Sequence, residues 1–206
     1  MTTFEHAMVG ACGALALRLE QRWGWRVVAM AAVAANLPDW DGVTFLFNMD
    51  WFVVGHRLWG HNVWVCTLVA ALWAWMDDRY DLMGGVRAGL ARWVRMPVDQ
   101  PPPEPSVSRT GVWLATSIVA SWSHLPADLV VSGGTGIAPW PIRPWWPIHS
   151  QRCTCPCISW GDPSLTLIFV AFGVALVKWP KWTTSLAKYC LGTIVVWIVI
   201  RGAMRR

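Results

Sequence analysis

Six apolar stretches, each ended by charge, glycine or proline, constrain this chain more than any other feature of it. Four are long: "HNVWVCTLVAALWAWM" at 61–76, "GVWLATSIVASWSHLPADLVV" at 111–131, "PSLTLIFVAFGVALVKW" at 163–179 and "SLAKYCLGTIVVWIVI" at 185–200. Each approaches the roughly 20 residues a helix needs to cross the hydrocarbon of a bilayer. Two more, at about 5–19 and 26–37, are short for a full span. They fit a helical hairpin that enters the bilayer partway or packs on the other helices. Inside lipid the backbone must satisfy its own polar groups, and a helix does so within one segment. The expected fold is therefore all-α: an integral membrane helical bundle of about four to six membrane helices, one domain over 1–206.

Composition agrees. The chain is 55% hydrophobic and 14% charged, where a soluble domain carries about one quarter charged residues. Its 18 tryptophans suit membrane–water interfaces, where the ring is apolar and its N–H is wet. The net charge of +5 is spread over loops, which points to membrane orientation and away from nucleic acid. Glu5 and His6 stand where a signal peptide would carry a basic region.

Residues 79–110 form an interfacial loop and linker. An amphipathic surface helix is expected around Arg87, Arg92 and Arg95, followed by the stiff spacer "PVDQPPPEP". Residues 132–161 read as a cap loop rich in tryptophan and proline. Cys12, Cys66 and Cys190 lie in apolar stretches and serve as small hydrophobes. Cys153, Cys155 and Cys157 form "CTCPC" in the cap loop. They fit a metal site, one strained pair with a leftover thiol, or a plain loop.

An apolar run that ends in "NLPDWDGV" brings Asp39 and Asp41 to the edge of the bilayer. If each helix crosses once, several other polar residues emerge at the same end. These are His6 before the first helix, His56, Arg57 and His61 before the third, His124 and Asp128 in the fourth, and Asp162 before the fifth. Unpaired carboxylates in poorly solvated surroundings cost several kcal/mol. A divalent cation would compensate them, and histidine nitrogen with aspartate oxygen suits zinc, manganese or iron. His124 and Asp128 are spaced i, i+4 and share a helix face. Pro126 between them is expected to bend or end that helix. Of Asp39 and Asp41, one can ligate while the other orients a histidine.

Each residue also has a plainer reading. A single histidine at a helix end is usually capped or solvated. Asp39 can be a cap, and Asp162 before Pro163 fits a helix N-terminus. His149 reads as an interfacial loop residue. The set is more specific than its members.

Five blocks stand in order: "HAMVGA", "NLPDWDGV", "GHRLWGHN", "SHLPADLVVSGGTGIAPWP" and "DPSLT". Together they resemble the YdjM-like family of metal-dependent hydrolases of the bacterial inner membrane. The resemblance covers about residues 5–170. More remotely, the family is similar to the zinc-dependent phospholipase C and nuclease group. It implies a multi-pass inner-membrane protein with two or more metal ions. The implied metal ligands are His6, Asp39, Asp41, His56, His61, His124, Asp128 and Asp162. Arg57 belongs to the same motif set. Asn62 departs from the serine found in many relatives.

The expected function is a membrane-bound metal-dependent hydrolase acting on a phosphoester of a lipid or lipid-linked substrate. Asp39 or Asp41 would be the general base, and Arg57 a planar fork for a phosphoryl oxygen. Two rivals remain: a metal-ion or proton-coupled transporter, and a non-enzymatic membrane protein with a structural metal. A transporter needs polar residues through the bilayer depth, and here they gather at one end. A structural site needs only four ligands. Eleven of the 17 basic residues fall on the side opposite the polar cluster. This predicts a candidate site on the non-cytoplasmic face, although the basic C-terminal tail argues the other way.

Overall fold

The structure is a computed structural model that describes residues 1–86, 109–133 and 139–204. Among the described residues it is all-helical, with two isolated β-bridges. Each of the six apolar stretches holds a helix.

Helix α1, Thr3–Ala16, starts at a reciprocal cap. The Thr2 hydroxyl accepts from the Glu5 amide at 3.3 Å, and the Glu5 carboxylate accepts from the Thr2 amide at 2.8 Å. A short helix, α2, Leu19–Trp23, ends at Gly24, whose φ of 71° turns the chain into α3, Trp25–Ala34. Helices α1 and α3 then pack face to face. A Cβ at Gly10 would stand 2.4 Å from the Ala31 carbonyl oxygen, so only glycine permits this approach. Helix α3 stops short of the expected boundary at 37. Pro38 opens a 3₁₀ segment, Leu37–Leu46, in its place.

Helix α4, Met49–Gly55, is capped by Asn48 and leads into an irregular turn. The next helix, α5, Val63–Tyr80, is capped by Asn62, whose side-chain Oδ1 accepts from the Val65 amide at 2.9 Å. Helix α6 is Arg109–Val130, α7 is Ser164–Lys178 and α8 is Thr183–Met204. Pro126 does not end α6, which continues to Val130. Between α6 and α7 the described part of the cap loop has no helix. A bridge between Ile142 and Cys153 folds it, and the Ile158 amide donates to the Val130 carbonyl at 3.0 Å. The interfacial helix expected around Arg87, Arg92 and Arg95, and the proline spacer, lie outside the described residues.

Helix α5 packs on α6, while α1 contacts α3 and α8. The core mixes small side chains such as Cys12, Ala14, Ala31, Ala34, Ala74 and Cys190 with large ones such as Met30, Trp113 and Phe169. Among the described residues one helical segment, Pro180–Met204, is long and apolar enough to cross a membrane, with mean hydropathy 1.6. The four-to-six-helix count expected from the sequence exceeds what length and apolarity alone support.

At the end of α5, within "DDRYD", Asp77 is fully buried. Its carboxylate accepts from Arg26 Nη2 at 2.9 Å, Trp113 Nε1 at 2.6 Å and the Met83 amide at 2.7 Å. This clasp joins α3, α5 and α6 at the end of α5 away from the histidines.

Candidate metal centre

The site is assembled where the 3₁₀ segment meets the turn between α4 and α5. Asp39 and Asp41 lie in that segment. Gly60 lets the turn lie directly on it, since a Cβ there would fall 1.9 Å from the Pro38 carbonyl oxygen. The approach puts the Gly60 amide 2.8 Å from Asp41 Oδ2. Asp41 is fully buried. Its Oδ1 lies 2.8 Å from His56 Nδ1 and its Oδ2 lies 3.2 Å from His61 Nδ1. One carboxylate thus holds two imidazoles.

Helix α6 supplies His124 and Asp128 from one face. His124 Nδ1 donates to the Ala35 carbonyl at 2.8 Å, in the link that follows α3. With a carbonyl on Nδ1, the lone pair of the neutral His124 ring must lie on Nε2. The same logic applies to His61, whose Nδ1 faces the Asp41 carboxylate. The two Nε2 atoms point at one another across 3.1 Å. Asp39 Oδ1 is 3.4 Å from each of them. Asp128 Oδ2 is 3.3 Å from His61 Nε2 and 3.8 Å from His124 Nε2.

Two lone pairs and two carboxylates therefore converge on one point. A proton or a metal cation between them removes the repulsion. Ligand atoms of Asp39, His61, His124 and Asp128 all lie within 4.8 Å of one another, and those of Asp41, His56 and His61 form a second such group. Histidines whose second nitrogen is held by a carbonyl or a carboxylate are the usual form of metal-ligating histidine. The donor set fits a divalent cation such as zinc, manganese or iron.

The electrostatics agree. Burial pushes the Asp39 carboxyl up, but hydrogen bonds and charge from His124 and His61 outweigh it and hold the group well below the usual carboxylate range. Asp41 is lowered in the same way, against its burial, by His56 and His61. Burial pushes His61 down, yet its bonds to Asp128, Asp39 and Asp41 raise it to about 10. The pocket calls for positive charge.

Arg57 adds some. Its backbone is left-handed, with φ 66°, a strained conformation for a long side chain. The strain turns the guanidinium inward, where it is 3% exposed. Nη1 donates to the Trp140 carbonyl at 3.0 Å, Nη2 lies 3.3 Å from Asp128 Oδ2, and the group sits 4.9 Å from the Trp140 ring centroid. Its Nε has no hydrogen-bond partner among the described residues.

His6 and Asp162, the other two expected ligands, stand differently. His6 stacks on His124, ring centroids 3.6 Å apart, and its Nε2 is 3.1 Å from Asp128 Oδ1. It buttresses the cluster, and its Nδ1 has no hydrogen-bond partner among the described residues. The Met1 amino group also contacts Asp128. Asp162 joins neither group of candidate ligands. Its carboxylate accepts from Arg201 at 2.6 Å and from the Ser164 amide at 2.9 Å, while Pro163, which the plainer reading put inside the helix, takes the N-cap position of α7. His149 is exposed on the cap loop.

Above the cluster opens a cleft of about 700 Å³. Asp39, His56, Arg57 and Asp128 line its polar part, and Trp140, Trp160 and Leu165 line its apolar part. Sequence reasoning missed Ala35 and Trp140. The first acts through a backbone carbonyl, which leaves no chemical signature. The second stands in a recognised motif, but its contact with Arg57 comes from a distant loop.

The family model described as YdjM inner membrane protein matches residues 1–205. No curated protein and no solved structure matches the chain.

Proposed function

This chain belongs to the YdjM inner membrane protein family, and from that premise we propose that it is a multi-pass, metal-dependent hydrolase of the bacterial inner membrane that cleaves a phosphoester of a lipid or lipid-linked substrate. One observation carries the reading. The Nε2 atoms of His61 and His124 face each other at 3.1 Å, each with its other nitrogen already engaged, and two carboxylates close the same point. A bound divalent cation, zinc before manganese or iron, would polarise a phosphoryl oxygen and acidify a water molecule.

The protein groups divide the remaining work. Asp39 is 28% exposed at the cleft, so it can reach a water molecule and serve as general base. Asp41 has no exposure and holds His56 and His61 in place. Arg57, fixed by Trp140, presents a permanent charge to the cleft that suits a phosphoryl oxygen. Trp140 and Trp160 give an apolar wall for a lipid. Asp39, His61, His124 and Asp128 would hold the first ion. A second, at Asp41, His56 and His61, requires displacing the proton that His61 gives to Asp41.

Membrane embedding beyond one helix is supported by exposed apolar faces: Leu68, Leu72 and Trp75 on α5, and Val170, Val174 and Val177 on α7. The distribution of basic residues favours the non-cytoplasmic face for the site. The test is elemental analysis of detergent-purified protein, paired with hydrolysis of short-chain phospholipids and other phosphoesters. Bound metal with turnover that disappears in His124→Ala supports the proposal. Metal-free protein, or unchanged turnover in that variant, overturns it.

A further inference from the structure

The cap loop carries a second reactive group that the metal centre does not use. Cys155 Sγ and Cys157 Sγ lie 3.5 Å apart. Residues at i and i+2 of an extended chain point the same way but stand apart. Here the Cys157 amide donates to the Cys155 carbonyl at 2.7 Å, which closes a three-residue turn around Pro156. A proline ring fixes φ near −65°, close to the roughly −75° that such a turn needs. The Cys155 amide is held by Ser132 Oγ at 2.9 Å. The thiols differ in setting. Cys155 is exposed, while Cys157 packs against α8, where a Cβ on Gly202 would come within 3.1 Å of its sulfur. Among the described residues no third histidine, cysteine or carboxylate joins them in a group of metal-ligand dimensions, whereas zinc favours four ligands.

We propose that Cys155 and Cys157 form a reversible redox pair, oxidised to an intramolecular disulfide by exchange with a small-molecule or protein disulfide. The exposed Cys155 thiolate attacks one sulfur of that disulfide, and the other sulfur leaves as a thiolate. The Cys157 thiolate then attacks the Cys155 sulfur of the mixed disulfide and expels the second thiolate. The two protons from the cysteines end on the two released thiols, and the incoming disulfide is reduced. A bond across one residue at an exposed turn is short-looped, and exposed or strained disulfides are the readily reduced ones. Its reversal by excess thiol follows.

The experiment uses the full chain in detergent, incubated with oxidised glutathione, trapped with an alkylating agent and mapped by peptide mass spectrometry. The expected product is a 155–157 peptide two hydrogens lighter, in wild type and in Cys153→Ser alike, lost again in excess reduced glutathione. Cys157→Ser should instead accumulate glutathione on Cys155. A stable glutathione adduct on Cys155 of the wild type, a bond to Cys153, or a disulfide-linked dimer would each overturn the pairing. None of these readouts depends on the metal centre or on hydrolysis.

Discussion

Arg26 closes over Asp77, donating through Nε at 3.1 Å and Nη2 at 2.9 Å to one carboxylate oxygen that water does not reach. Asp77 and the carboxylates of the candidate metal centre are aspartates answered in opposite ways. Asp77 receives an arginine, an indole and a backbone amide, so its charge is neutralised by the protein. Asp39 and Asp128 receive mainly imidazoles whose lone pairs face inward, and the remaining demand is for a cation.

Removing one partner of the clasp should be costly. Asp77→Ala leaves the Arg26 guanidinium with Asp81, the backbone carbonyl of residue 77 and the Trp113 ring, and a broken buried pair costs about 3–5 kcal/mol. The double variant Arg26→Met, Asp77→Leu should lose less than Asp77→Ala, because it removes both charges. Denaturation in detergent compares the three proteins, and equal losses in all would contradict the account.

Metal content should follow the geometry of the cluster. His61 belongs to both ligand groups, His124 to one and His56 to the other. His61→Ala and His124→Ala should fall to background metal. His56→Ala should keep the ion bound between Asp39, His61, His124 and Asp128. Elemental analysis per mole of folded protein reads this directly.

Gly60→Ala should disturb the site without removing a ligand. Its Cβ would meet the Pro38 carbonyl oxygen at 1.9 Å, so the turn must lift off the 3₁₀ segment. Overpacking of this kind costs about 1–3 kcal/mol. A variant with wild-type melting and full metal content would show that the contact does not position the site.

Asp162 should act on stability and leave metal binding alone. Burial pushes its carboxyl up, but the Ser164 hydrogen bonds and the Arg201 charge more than reverse this and hold it below the usual value. A depressed carboxyl stabilises the fold above the unfolded pKa of about 4 and loses that contribution as pH falls through the folded value. The melting temperature of wild type should therefore exceed that of Asp162→Asn near neutral pH, and the gap should narrow below about pH 4. Metal content of the variant should match wild type.

The helices were legible because an apolar run without breakers has few other ways to satisfy its backbone. Most of the clustered residues were legible for a related reason: helices expected to alternate in direction return His56, His61, His124, Asp39 and Asp41 to one end. Asp162 shows the limit of that logic. It reaches the right end and lines the cleft, yet Arg201, almost forty residues away, takes its carboxylate.

By itself, the amino-acid order determined which stretches form helices, which ends carry histidine and aspartate, and that those groups need a counter-charge. The tertiary structure alone decided which nitrogen of His124 faces inward, how closely Gly60 approaches Pro38, and that Asp77 is sealed by Arg26. Those outcomes rest on backbone carbonyls and on distances of a few ångströms. Every residue has a carbonyl, so only packing distinguishes the one at Ala35 from its neighbours.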